Sequence, residues 1–197
     1  MTRLVLASTS PTRRRVLEAA GIAHTAIAPS VDEDAAKAAF RAEGLSPRDL
    51  ADALAELKAR AGWARSQAPT VGCDQVLEFE GEGFDKAESL SALREQLLRL
   101  RGKPHKLHAA LVLVEDGAPT WRETVTSTLT MRPFSDAFLD RYLEVEGEAL
   151  LGSVGGYRIE GMGVQLFDRI EGDHFAILGL PLTGLLRALR QRGLAPS

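Results

Sequence analysis

The sequence lacks several features that would place it in well-known classes of protein. It has a single cysteine, Cys73, among 197 residues, which excludes a disulfide framework and a cysteine-rich zinc site. No run of about 18 apolar residues is present, so we expect no membrane span. The net charge of −3 argues against a general nucleic-acid binder, whose domain would be strongly basic.

The start of the sequence also lacks a basic region followed by an apolar stretch of signal-peptide length. Together these absences predict a soluble, cytoplasmic protein that binds neither membranes nor nucleic acid. Hydrophobic residues make up 45% of the chain, which is ordinary for a globular core. A chain of this length suits a single domain, and we predict one over residues 1–197.

The clearest pattern is a strand, a hydroxyl-rich turn and a helix at the N-terminus. Residues 4–7 are an apolar run of strand length, Ser10 is a good N-cap, and Pro11 suits the first helical position. Arginines 13–15 then lie in the first turns of the helix, where the helix dipole disfavours cations. A bound anion between the arginines and the helix N–H groups would explain them. The alternative is a solvated basic patch.

Three further stretches contain candidate functional residues. A long helix begins at Ser46, and Lys58 flanks its apolar stripe. Residues 70–79 read as a strand that Asp74 interrupts, and a buried carboxylate there requires a compensating cation. Residues 32–34 are three successive acids, which form either a solvated acidic turn or hard oxygen ligands for Mg²⁺ or Mn²⁺.

The remaining chain is patterned less evenly. Residues 28–47 have the weakest pattern, residues 152–163 are rich in glycine, residues 164–170 read as a strand, and residues 183–192 read as the last helix.

These stretches together resemble the Maf family of nucleotide pyrophosphatases. LVLASTSPTRRRVLEAAGI is similar to the family's opening signature of leucine-alanine-serine, any residue, serine-proline, any residue and arginine. Further matches follow in the family's order: Glu33, Lys58-Ala59, Gly72-Cys73-Asp74, Lys86, Gly172-Asp173 and Gly179-Leu180-Pro181-Leu182. The residues beside Lys86 differ from the family's glycine-lysine-proline.

The resemblance implies an α/β fold like that of the inosine-triphosphate pyrophosphatases. That fold is a long twisted mixed β-sheet with flanking helices and two lobes around a deep cleft. The implied reaction is hydrolysis of the α–β phosphoanhydride of a nucleoside triphosphate to a monophosphate and pyrophosphate. The implied cofactor is a divalent cation, Mg²⁺ or Mn²⁺, held by Glu33 and Asp74. A homodimer is also a family expectation.

The resemblance also implies roles for individual residues. Asp74 would be the proton acceptor, and Glu33, Lys58 and Lys86 would complete the catalytic set. Substrate would be bound by Ser8, Ser10 and Arg13, together with the two lysines. Such a set suits phosphoryl transfer, which needs positioning and charge neutralisation more than a covalent nucleophile.

Three positions that differ between branches of the family are expected to select the base: Thr12, Gln75 and Glu160. Gln75 and the segment 155–161 are similar to the branch associated with 7-methyl-GTP. Glu160 could accept from the guanine edge, and Tyr157 or Phe175 could stack on a cationic ring. Thr12 departs from that branch, which has tryptophan. A dTTP or UTP pyrophosphatase, and a non-hydrolysing nucleotide-binding regulator of cell division, are the alternatives.

Overall fold

Seven strands form one mixed sheet in the computed structural model, which describes residues 4–196. The strands are β1 Leu4–Ala7, β2 His24–Ile27, β3 Thr70–Phe79, β4 Glu82–Phe84, β5 Pro104–Glu115, β6 Ala118–Met131 and β7 Phe167–Glu171. Their order is β2-β1-β3-β5-β6-β7, and β4 pairs with β3. β1 is parallel to β2 and β3, whereas β4 and β7 are antiparallel to their neighbours β3 and β6. The predicted mixed sheet is therefore confirmed.

Helices flank this sheet. They are α1 Pro11–Ala19, α2 Glu33–Ala42, α3 Pro47–Ser66, α4 Leu90–Leu100, α5 Asp136–Glu146, α6 His174–Ile177 and α7 Leu182–Gln191. Ser10 and Ser46 cap α1 and α3, and a proline follows each serine at the first helical position. The capping signals thus set both helix starts as predicted. Among residues 4–196, no helix combines the length and the apolar character that a bilayer crossing needs.

The described residues divide into two compact units. The first comprises residues 4–75, 108–126 and 173–196, and the second comprises residues 76–107 and 127–172. The single domain predicted for residues 1–197, with its two lobes around a cleft, stays a prediction.

The first unit is built on β1, β3 and β5 with α1 and α7. Its core is a cluster of aliphatic side chains that includes Leu4, Leu6, Val71, Leu111, Leu113, Leu185 and Leu189. Consecutive apolar residues on β1 are all buried, as expected for a strand covered on both faces.

The second unit has a buried polar contact in its core. The His105 Nε2 atom lies 2.8 Å from the Tyr157 hydroxyl, and the Tyr157 ring packs edge-on against Phe167 at 4.9 Å. Burial lowers the pKa of His105 to about 4, so its imidazole is neutral at pH 7. Tyr157 is only 6% exposed, and the prediction that it could stack on a ligand is wrong.

The structure excludes one alternative that the sequence left open and corrects one prediction. The acidic run is the start of α2 rather than a solvated turn, because Asp32 is the N-cap and accepts from the Ala35 N–H at 3.0 Å. No residue of α2 is fully buried. The strand predicted over 164–170 begins later: residues Met162–Leu166 form a 3₁₀ turn before β7. There the Gly163 backbone lies against the Arg158 backbone, with no room for a side chain.

Candidate active site

A buried lysine between two carboxylates lies at the centre of the candidate site. The Lys58 Nζ atom lies 2.7 Å from Asp74 Oδ1 and 2.9 Å from Glu33 Oε2. Lys58 and Asp74 are 5% and 7% exposed, whereas the Glu33 side chain is 42% exposed. The expectation that a cation compensates the Asp74 carboxylate is confirmed, and Lys58 supplies it.

A close approach of backbone to backbone brings Lys58 and Asp74 together. A Cβ atom on Gly72 would lie 2.1 Å from the Ala55 carbonyl oxygen and 2.4 Å from the Ala59 nitrogen. Only glycine fits there, since real Cβ contacts are not that short. Gly72 precedes Asp74 by two residues on β3, and Ala55 and Ala59 bracket Lys58 on α3. The strand therefore lies against the helix at the level of the ion pair.

The second carboxylate comes from the start of a different helix. Glu33 is the first residue of α2, which packs against α3. The positive end of the helix dipole stabilises a carboxylate in the first turn. The start of α2 is therefore a suitable place for a carboxylate beside Lys58.

Arg13 is held in a fixed orientation close to the same strand. Its Nε donates to the Gly179 carbonyl at 2.8 Å, and its Nη1 donates to the Cys73 carbonyl at 3.0 Å. A longer contact of 3.5 Å joins Nη1 to the Ser8 hydroxyl. Two of the three guanidinium nitrogens are therefore bonded to the protein, which fixes the plane of the group.

The serines of the opening signature hold the turn that carries Arg13. The Ser8 hydroxyl accepts from the Ser10 N–H at 3.2 Å, and the Ser10 hydroxyl accepts from the Arg13 N–H at 3.4 Å. Ser8 is 7% exposed. The substrate-binding roles predicted for Ser8 and Ser10 stay predictions; in the structure both hydroxyls bond to the turn itself.

Two of the three residues expected to select the base lie in the first unit. Gln75 donates from Nε2 to the carbonyls of Ala176 and Ile177, at 2.9 and 3.1 Å. Thr12 is partly buried on α1, and its hydroxyl accepts from Arg15 at 3.4 Å. Phe175 on α6 is 36% exposed, unlike Tyr157.

The remaining predicted residues belong to the second unit. Lys86 is exposed and follows β4, and Glu160 is exposed in the glycine-rich segment that precedes β7. The structure thus brings Arg13, Glu33, Lys58, Asp74 and Gln75 together around β3 in the first unit. The roles of Lys86 and Glu160 stay predictions.

Gly179 is a residue of this site whose role the sequence analysis missed. The family resemblance covered Gly179 only as part of a closing signature. Its contribution is a backbone carbonyl, which leaves no mark in the sequence. Cys73 also contributes a carbonyl, and its thiol is inert, because burial raises its pKa to about 11. A buried thiol of this kind is a packed residue rather than a nucleophile.

The divalent cation that the family resemblance implies, held by Glu33 and Asp74, stays a prediction. Glu33 and Asp74 converge on one cationic centre, and Mg²⁺ is commonly held by one or two carboxylates together with water and substrate phosphates. Within residues 4–196, no group of three or more His, Cys, Asp or Glu side chains converges as a metal site. The protein would therefore contribute two carboxylates at most.

Comparisons with known proteins find related sequences over nearly the whole chain. Residues 3–192 match the family model described as Maf-like protein. The chain is 54% identical to the nucleoside triphosphate pyrophosphatase of Caulobacter vibrioides over 98% of its own length and 97% of the relative's. It is 52% identical to the protein of the same name from Granulibacter bethesdensis, over 96% of each chain. It is 46% identical to the 7-methyl-GTP pyrophosphatase of Rhizobium meliloti, over 96% of each chain.

Removing the lysine of the buried cluster should destabilise the fold. We expect Lys58→Met to lower the free energy of unfolding by about 3 kcal/mol, because it leaves the buried Asp74 carboxylate without its partner. Adding Asp74→Leu should recover much of that loss, since the unpaired charge is then gone. Urea unfolding followed by circular dichroism measures all three proteins.

The matched control is Arg94→Met, which breaks the exposed ion pair with Asp140. Exposed pairs contribute about 0–1 kcal/mol, so this variant should unfold close to wild type. Equal losses from Lys58→Met and Arg94→Met would show that the Lys58 cluster does not behave as a buried pair.

Proposed function

Because the chain belongs to the Maf family, we propose that it is a nucleoside triphosphate pyrophosphatase. The observation that carries the proposal is the buried Lys58–Asp74 pair, with Arg13 fixed to the neighbouring residue of the same strand. In this proposal the α–β phosphoanhydride bond breaks, and a nucleoside monophosphate and pyrophosphate leave.

The cations of the site would bind the triphosphate. Arg13 and Lys58 supply two positive charges in the first unit, and Lys86 of the second unit is the third in the proposal. The carbonyls of Gly179 and Cys73 hold Arg13 at Nε and Nη1, so the orientation of its Nη2, which has two N–H groups to donate, is set by the protein. A preset donor of this kind stabilises developing charge without reorganisation during the reaction.

Asp74 is the proposed general base for an attacking water. Lys58 holds its Oδ1 atom at 2.7 Å, and Oδ2 would accept the proton of the water. A covalent cysteine intermediate does not fit, because the Cys73 thiol is fully buried and its pKa is raised to about 11. Direct hydrolysis therefore suits the residues better than nucleophilic catalysis by the protein.

A divalent cation, Mg²⁺ or Mn²⁺, belongs to the proposal. Glu33 and Asp74, the two carboxylates beside Lys58, would hold it. Such an ion would supply charge neutralisation across phosphate oxygens.

The leaning substrate within this class is 7-methyl-GTP. Glu160 is an exposed carboxylate and could accept from the N1–H and N2 amino groups of a guanine edge. Methylation at N7 makes the ring cationic, which a carboxylate and an aromatic face both favour. Phe175 is the exposed aromatic that remains a candidate for stacking. The Rhizobium meliloti relative named for this substrate supports the choice.

Thr12 argues against 7-methyl-GTP and leaves dTTP and UTP as the alternative substrates. The branch associated with 7-methyl-GTP has tryptophan at this position, and threonine offers no comparable stacking surface. The base preference is thus a separate question from the bond that is cleaved.

The products of the reaction test the class of activity. With a nucleoside triphosphate and Mg²⁺ or Mn²⁺, phosphorus NMR should show monophosphate and pyrophosphate appearing in equal amounts. A chelator should abolish the reaction, and added metal should restore it. Orthophosphate without pyrophosphate would contradict the proposed bond, and full activity in the chelator would contradict the metal.

A substrate panel tests the base. We expect the highest kcat/KM for 7-methyl-GTP among 7-methyl-GTP, GTP, dTTP, UTP and CTP. Glu160→Gln should reduce the guanine preference, because it removes the negative charge that would face the cationic ring. The control is Glu148→Gln, which changes another exposed carboxylate nearby in the sequence. A wild-type preference for dTTP or UTP would exclude the guanine assignment, as would a preference that survives Glu160→Gln.

A further inference from the structure

We propose that Gln75 is a positioning residue for Arg13, acting through helix α6 and the glycine that follows it. The inference rests on the proposed function only for its effect on turnover. It differs from the role expected from the sequence, in which Gln75 selects the base.

Helix α6 depends on Gln75 for part of its hydrogen bonding. This helix has four residues, His174–Ile177, and helices so short are not stable alone. Asp173 caps its start, with its carboxylate accepting from the Ala176 N–H at 2.7 Å. Gln75 Nε2 bonds the carbonyls of Ala176 and Ile177, which lie at the C-terminal end, where helix carbonyls lack partners within the helix. Each amide hydrogen of Gln75 is thus used by α6.

The turn that follows α6 sets the direction of the Gly179 carbonyl. The chain leaves α6 in a Schellman turn, in which the Gly179 N–H bonds the Ala176 carbonyl and the Leu180 N–H bonds the Phe175 carbonyl, both at 2.9 Å. Gly179 has a φ of 89°, in the left-handed region that glycine adopts readily. Its carbonyl then accepts from Arg13 Nε at 2.8 Å. Ala176 is therefore shared by Gln75 and by the turn that aims this carbonyl.

Both hydrogen-bonded nitrogens of Arg13, Nη1 and Nε, are connected to β3. Cys73 holds Nη1 directly through its carbonyl. Gln75, two residues further along the strand, holds α6 and thereby the carbonyl at Nε. The contacts form a closed ring through Arg13, Cys73, Gln75, Ala176 and Gly179. Loss of the Gln75 amide opens that ring and weakens the hold on Nε, while the Cys73 carbonyl still holds Nη1.

Positioning and base selection have different signatures. Arg13 would contact the phosphates, which every nucleoside triphosphate shares. A residue that positions Arg13 therefore changes kcat/KM by the same factor for every base. A residue that contacts the base changes the ratios between bases.

The test combines an activity-independent signal with a substrate panel. In Gln75→Leu, which has no amide donor, the Arg13 Nε–H should exchange with solvent at least roughly tenfold faster by NMR, since a charge-assisted hydrogen bond has weakened. The value of kcat/KM should fall roughly tenfold to a hundredfold for 7-methyl-GTP, GTP, dTTP, UTP and CTP alike, the scale of a displaced positioning group.

A second variant changes Gly179, the residue of this ring whose carbonyl accepts from Arg13 Nε. A Cβ on Gly179 would lie 3.2 Å from Arg13 Nε, so Gly179→Ala should accelerate the same exchange and reduce the same rates without changing base preference. The double variant should cost no more than the worse single variant, because both open one ring. Gln191→Leu, in an exposed glutamine of α7, is the control and should leave the Arg13 signal unchanged.

Two results would overturn the inference. One is an Arg13 Nε–H that exchanges at the wild-type rate in folded Gln75→Leu. The other is a changed order of preference among the bases in that variant. If the wild-type protein hydrolyses none of the nucleotides, the proposed function fails, while the exchange measurement still decides whether Gln75 positions Arg13.

Discussion

The arrangement of the site depends on the burial of one ammonium group. Lys58 is 5% exposed, and an unpaired charge at such depth costs several kcal/mol. Asp74 and Glu33 must therefore lie within ion-pair distance, and they do so from a strand and from a neighbouring helix. This is possible because Gly72 lets the backbone of β3 touch that of α3. The close packing of these two backbones thus determines where the charged side chains of Lys58 and Asp74 lie.

β3 connects the parts of the site to one another. Three consecutive residues contact three different elements: the Cys73 carbonyl contacts Arg13 of α1, Asp74 contacts Lys58 of α3, and Gln75 contacts the end of α6. Because these contacts leave the same stretch of strand, a shift of β3 would move all three together. Such coupling suits a reaction in which an arginine, a lysine and a carboxylate must meet one polyphosphate at fixed distances.

Local sequence signals predicted much of this architecture. Backbone contacts between residues distant in sequence could not be predicted. Serine and proline marked the starts of α1 and α3, and the cost of a buried Asp74 correctly required a cation. Helix α2 was missed because its acidic first residues are equally compatible with a turn, and Tyr157 was misjudged because its partner His105 is distant in sequence. The carbonyl of Gly179 could not be foreseen, since any residue has a carbonyl and only the fold aims it at Arg13.

In the proposed mechanism, Asp74 removes a proton from water while Lys58 and Arg13 hold the phosphates. Asp74→Asn keeps the shape of the side chain but removes its basicity, so single-turnover rates measure the claim most directly, beside a binding titration with a non-hydrolysable triphosphate. We predict a rate at least ~10²-fold lower, the scale of a lost general base, with binding retained because both cations remain. A variant that turns over near the wild-type rate would contradict the claim and make Asp74 a structural partner of Lys58.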